Sequence, residues 1–103
     1  MKLTIDNVIS FMMKYKLQQV MYHVLGMLAF ATIYYIIHKY IDNAFQYNKD
    51  NGDLNILDFF YFSLVTQSTV GYGDITPIHK LPRIICMMQI LSIYAITVIS
   101  ILN

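Results

Sequence analysis

Residues 66–74 read Thr-Gln-Ser-Thr-Val-Gly-Tyr-Gly-Asp, and the pair Gly71 and Gly73 sets what this stretch can do. Glycine adopts positive φ at little steric cost. A chain that alternates conformation through both glycines can therefore turn successive carbonyl oxygens toward one axis. Such oxygens can replace the water that a cation loses on entering a narrow passage. Thr69 adds a hydroxyl at one end of the run and Asp74 a carboxylate at the other. Val70 and Tyr72 then point away from the axis and are expected to pack against the preceding helix. One chain presents only one side of a passage, so this chemistry calls for several copies. Enzyme chemistry has no counterpart in the sequence. There is no triad, no metal-spaced His/Cys cluster and no phosphate loop, and Asp74 with His79 makes no catalytic constellation.

The elements that must hold this stretch follow from the apolar pattern. Runs over residues 17–39 and 81–102 each have roughly 20 residues, about 30 Å as a helix, enough to cross a hydrocarbon core. Lys14 and Lys16 precede the first run, and Tyr34, Tyr35, His38, Lys39 and Tyr40 mark its far end as boundary side chains do. Pro82 and Arg83 open the second, where proline is tolerated in a first helical turn. Gln18, Gln19, His23 and Gln89 are the strongly polar intruders. His23 reads as a neutral histidine bonded to a neighbouring helix. Gln89 is expected to bond to the short helix before the motif or to a neighbouring chain.

Residues 56–67 are apolar and aromatic but about half the length needed to span. Asn55, with Asp58 three residues on, predicts a helix N-cap and an acidic first turn. A short helix that enters the membrane and turns back fits, provided protein or a water-filled cavity satisfies the backbone after it. Its C-terminal end carries partial negative charge, which favours a cation nearby. Residues 40–55 carry Asn, Asp, Lys and Gly and read as a solvated loop. In residues 1–16, Ile5, Val8, Ile9, Met12 and Met13 oppose Asp6, Asn7, Ser10 and Lys14. That pattern suits either a short amphipathic helix lying in the interface plane, which is the expectation, or a frayed terminus.

Composition supports a membrane setting. The 103 residues are 57% hydrophobic and 13% charged, with a mean hydropathy of +0.52, too apolar for a small soluble domain to cover. They allow one domain over residues 1–103. The net charge of +1 lacks the basic patch of a nucleic-acid binder. Cys86 is the single cysteine, so no internal disulfide forms.

The segment Thr66–Asp74, lying between two spans and behind a half-length helix, resembles the potassium-channel signature. Its match to Thr-Val-Gly-Tyr-Gly-Asp is uninterrupted over Thr69–Asp74. The strong match covers about residues 57–77, and the overall layout is most similar to the miniature potassium channels of algal viruses. The resemblance implies an all-α membrane protein in a four-fold tetramer: outer span 17–39, extracellular loop 40–55, re-entrant pore helix 56–67, filter 68–74 and inner span 81–102. It implies a potassium-selective filter with stacked sites from Thr69, Val70, Gly71 and Tyr72, completed by Gly73. Thr66, Ser68, Tyr61 and Phe62 support the filter. Asp74 sits at the outer mouth, concentrating cations or hydrogen-bonding behind the filter. Ser92, Ile96, Thr97 and Ser100 are inner-cavity candidates on one helical arc, with hydroxyl bonds back to their own backbone the alternative. The implied partners are K+, the bilayer and further copies of the chain. No cofactor, other metal, nucleic acid or small-molecule substrate is implied. The setting is a plasma membrane or a viral or host membrane. Both termini are placed in the cytoplasm by the resemblance, because the basic residues flanking the spans do not decide orientation.

Departures from the broader family narrow these expectations. Many potassium channels place an acidic residue where Val65 stands, paired with the aspartate after the filter. Asp74 therefore needs another partner, such as water. The inner span has no glycine and the chain ends at Asn103, so a hinged bundle-crossing gate is not expected. No arginine-rich span is present to sense voltage. A less selective cation pore, or a two-span permeabilising chain with no filter, would share the spans. The former usually alters the Gly-Tyr-Gly core, and the latter leaves the half-length helix without a purpose.

Overall fold

Thr4 opens the first helix, its hydroxyl accepting from the Asn7 amide at 3.2 Å, and neither glycine nor proline follows until Gly26. In the computed structural model, which describes residues 4–102, α1 accordingly runs unbroken over Ile5–Tyr40. This corrects the expectation of a separate helix over residues 1–16: with no breaker to stop it, the amphipathic segment continues straight into the span. The side chains of Met12, Lys14 and Lys16, named above, lie outside the described part. A 36-residue helix is about 54 Å long and accounts for most of the 62 Å long dimension of the chain. Within it, Leu17–Tyr40 is apolar and long enough to cross a membrane.

The half-length helix, α2, covers Ile56–Gln67. Asn55 caps it through a reciprocal pair: its side chain accepts from the Asp58 amide at 3.1 Å, and the Asp58 carboxylate accepts from the Asn55 amide at 2.8 Å. That box satisfies two N-terminal donors that a helix leaves open. The last helix, α3, spans Lys80–Leu102 and is the second membrane-length element. The chain is thus helical with two candidate spans and one shorter helix between them.

Between α1 and α2 the chain is less solvated than its composition suggests. Ala44 and Phe45 are buried, and β1 (Phe45–Gln46) pairs antiparallel with β2 (Thr76–Pro77), Phe45 opposite Pro77 and Gln46 opposite Thr76. This two-residue ladder ties the loop before α2 to the segment after the motif. Phe45 then drops into an aromatic cluster. Its ring lies 5.1 Å from Phe59 and 5.8 Å from Phe62, and Tyr34 meets Phe62 edge-on at 5.0 Å. Edge-to-face contacts of this kind add to the burial of the rings themselves. Tyr34, expected at the membrane boundary, is wholly buried here.

At the C-terminal end of α1 a polar cluster fastens the loop. One Asp53 carboxylate oxygen accepts from the Tyr47 hydroxyl at 2.6 Å and the Leu54 amide at 2.8 Å, and lies 2.8 Å from His38 Nε2. These contacts, the Tyr47 bond first, draw the Asp53 carboxyl down from 3.8 to about 2, and the same bond pushes the Tyr47 phenol up. The folded value lies below the ordinary one, so the unfolded chain binds more protons. The stabilisation is fully present above the ordinary value and is lost as pH falls through about 2. Thermal stability is therefore expected to drop more steeply between about pH 4 and about pH 2 in the wild type than in Asp53→Asn. Parallel acid profiles for the two proteins contradict this role.

Candidate functional site

The C-terminus of α2 shapes the motif that follows it. A helix end leaves carbonyls without partners, and here the motif supplies the donors. Ser68 N–H bonds to Leu64 C=O at 2.9 Å and Thr69 N–H to Thr66 C=O at 3.0 Å, while Val65 C=O accepts from Val70 N–H at 3.0 Å and Gly71 N–H at 3.3 Å. The Ser68 hydroxyl also donates to Val65 C=O. With these amides turned inward, the carbonyls of Thr69, Val70, Gly71 and Tyr72 accept no hydrogen bond among the described residues. The Thr69 hydroxyl donates to Ser68 C=O at 2.6 Å.

Positive φ occurs at Gly71 (61°) and Gly73 (85°), as the alternation requires, and also at Thr69 (63°). A β-branched residue is strained there, and the amide and hydroxyl bonds of Thr69 to Thr66 and Ser68 hold it in place. Gly73 departs from its assigned role, because its carbonyl accepts from the Thr76 hydroxyl at 3.1 Å and so is engaged within the chain. Val70 and Tyr72 do not pack against α2 as expected. They are 52% and 69% exposed, which leaves them free for whatever lies beside a single chain.

Behind the motif, three helices meet at one buried polar hub. Gln89 Nε2, on α3, donates to Ser63 C=O at 3.1 Å, to the Ser63 hydroxyl oxygen at 3.0 Å and to Gln67 Oε1 at 2.9 Å. Its Oε1 accepts from the Tyr34 hydroxyl at 2.7 Å. The Ser63 hydroxyl donates to Met27 C=O, and Gln67 Nε2 lies 2.9 Å from His23 Nδ1. Gln89 thus reaches α2 and α1 within one chain. His23 Nδ1 thus faces an amide of the neighbouring helix. Gln67 and Tyr34 are the residues that sequence reasoning passed over. The available signal was Gln67 itself, an amide at the end of an apolar helix.

Tyr61 and Asp74 line one cleft together with Asp53 and Asp58, and the neighbouring Asp74 carboxylate pushes the Tyr61 phenol up. Asp74, which has no acidic partner at Val65, has Tyr61 beside it in this cleft. Phe62 points the other way, into the aromatic cluster, and Thr66 bonds back to Phe62 C=O.

Among the cavity candidates on α3, two hydroxyls bond back to their own helix. Ser92, Ile96, Thr97 and Ser100 are half-buried and share the helical stripe of Gln89 and Ile93, which faces the chain's own helices. The Ser92 hydroxyl donates to Gln89 C=O and the Thr97 hydroxyl to Ile93 C=O. Of the polar residues on this arc, Gln89 bonds to the hub. Ile90 and Tyr94, by contrast, share a concave surface of about 320 Å³ with Thr66 and Thr69.

A free-carbonyl strand held at a helix end between two spans is what a family comparison can test. A family model described as "Ion channel" matches residues 22–103. The chain belongs to that ion-channel family. Among its relatives, potassium channel K2 of Plasmodium berghei (strain Anka) is 49% identical over 67 residues, covering 60% of this chain and 4% of the relative. Potassium channel K2 of Plasmodium falciparum (isolate 3D7) is 45% identical over 76 residues, 65% of this chain and 5% of the relative. Potassium channel subfamily T member 1 of Mus musculus is 37% identical over 51 residues, half of this chain and 4% of the relative. The chain therefore corresponds to a small part of the length of these relatives. No solved structure matches it. The ion-channel family is one of membrane channels and not of enzymes, in keeping with two apolar helices of membrane length.

Proposed function

We propose that this chain is the pore-forming subunit of a potassium-selective channel, conducting passively through a filter shared by four copies. The observation that carries the reading is the set of unpaired carbonyls at Thr69, Val70, Gly71 and Tyr72, freed because α2 takes up the neighbouring amides. Four such strands around an axis replace the hydration oxygens of K+ ring by ring. Thr69 closes the lowest site with its hydroxyl, and Gly73 orients the strand at its outer end. Ser68 and Thr66 brace the strand from α2, Tyr61 steadies Asp74 at the outer mouth, and Phe62 anchors α2 in the aromatic cluster. The exposed Val70 and Tyr72 face the adjoining copy. The relatives named as potassium channels support the choice of ion.

In this reading α1 is the outer span, α3 the inner one, and both termini face the cytoplasm. Residues 17–102 hold the layout of a two-span pore, the kind built into the miniature channels of algal viruses. A viral or host membrane is accordingly the proposed setting. K+ is cargo, and no cofactor takes part. The deciding experiment reconstitutes the purified chain in a planar bilayer with potassium on one side and sodium on the other. The reversal potential is expected to lie far toward the potassium equilibrium value. A reversal near zero sinks the proposal.

A further inference from the structure

The hub behind the filter has a direction, and its starting point is a backbone carbonyl. Ser63 C=O can only accept, so the Gln89 group facing it must be the amide NH2, as the 3.1 Å contact has it. Gln89 Oε1 then faces the Tyr34 hydroxyl, which donates. Because Gln89 also donates to Gln67, Gln67 must present Oε1 to it and NH2 to His23. His23 Nδ1 must in turn accept, which leaves the ring neutral with its proton on Nε2. One carbonyl thus dictates a histidine tautomer through two side-chain amides. Every buried polar side-chain atom among the described residues has a partner in this arrangement.

A second proton on the ring has no place here. An N–H at Nδ1 would meet the Gln67 NH2, two donors face to face. Flipping Gln67 moves the mismatch to Gln89, and flipping Gln89 sets its oxygen against Ser63 C=O. Each rearrangement shifts the conflict without removing it, and every version disturbs Gln67. That residue is the last of α2, immediately before Ser68 and Thr69. His23 itself is only half-buried within the single chain. α1 also carries the Tyr22, Tyr34 and Tyr35 phenols and His38, and α3 the Cys86 thiol and the Tyr94 phenol. α2 contributes Gln67, which is neutral. Phenols and an apolar-site thiol do not change charge where histidine does. No carboxylate, lysine or arginine occurs in residues 17–38, 59–73 or 84–102. The nearest basic positions along α1 are Lys16 and Lys39.

We propose that His23 is a positioning residue for the filter: neutral, it holds the Gln67 amide in the single orientation the hub permits, and protonated, it breaks the hub and lowers conduction. This rests on the pore reading above. Asn is the informative replacement, since its Oδ1 sits where Nδ1 does and accepts from Gln67 but does not titrate. In planar bilayers with equal pH on both sides, potassium current through the full wild-type chain is expected to fall about tenfold from about pH 7.5 to about pH 5.5, the size expected when one buried donor loses its acceptor. In His23→Asn the ratio of the two currents is expected to stay near one. A wild type insensitive to acid, or a His23→Asn chain with the full acid loss, overturns the proposal.

Nitrogen NMR of the labelled wild-type protein in lipid supplies a readout that needs no current and no variant. The expected His23 signals are an unprotonated Nδ1 and a protonated Nε2 near pH 7.5. On acidification the ring gains its second proton together with a shift of the Gln67 side-chain amide. A proton on Nδ1 near pH 7.5, or a Gln67 amide indifferent to ring protonation, overturns the proposal. Absence of selective current at every pH refutes the pore reading instead, and the NMR result then still judges the His23–Gln67 pair.

Discussion

Alanine at Gly73 is expected to silence potassium current while leaving the chain folded and assembled. An added Cβ at this position meets no atom within 4 Å, so crowding within the chain is not the obstacle. The obstacle is φ, which stands at 85°. For an L-residue a left-handed backbone costs about 1–2 kcal/mol. Repeated in each of four copies around one axis, that comes to about 4–8 kcal/mol, enough to favour a rotated peptide whose carbonyls no longer face the ion. Gly71→Ala, at φ 61°, is expected to act in the same sense but less completely, because that value lies where L-residues are occasionally found. Single-channel recording, with native gels to confirm assembly, separates loss of conduction from loss of structure. Normal selective current through Gly73→Ala would refute the carbonyl-ring account.

Gln89→Leu is expected to have the largest effect on stability. Leucine fills much of the same volume but strips the Tyr34 hydroxyl, Ser63 C=O and Gln67 Oε1 of their common partner. A buried polar group left alone costs about 1–3 kcal/mol. Since the three share one network the costs are not additive, and the expected total is about 3–5 kcal/mol per chain. Tyr34→Phe removes only one donor and is expected to cost about 1 kcal/mol. Combining it with Gln89→Leu should recover part of the larger loss, because the orphaned hydroxyl is then gone. Thermal unfolding in detergent reads all three. Equal melting of Gln89→Leu and the wild type would contradict the hub's importance.

The parts of the molecule governed by local rules were legible in the sequence. Two apolar runs of membrane length, the Asn55–Asp58 cap and the glycine alternation each depend on neighbours a few residues apart. What could not be read depends on distant partners. Phe45 sits in a polar stretch, and nothing near it indicates that Pro77 will pair with it or that Phe59 and Phe62 will receive its ring. Tyr34 looked like a boundary aromatic because tyrosines collect at membrane surfaces, whereas Gln89, 55 positions away, claims its hydroxyl. The polar arc of α3 was visible as an arc. Whether it faced a cavity or the chain's own helices was a question of rotation, and a wheel carries no absolute direction.

Gln89 also has a mechanical meaning. It stands partway along α3, and beyond it the hydroxyls of Ser92 and Thr97 bond only within their own helix. Among the described residues, α3 has no polar tether to another helix past that point. Packing alone holds the arm of α3 beyond Gln89 to its neighbours among these residues, whereas Gln89 fixes the rotation and height of the helix through directional bonds.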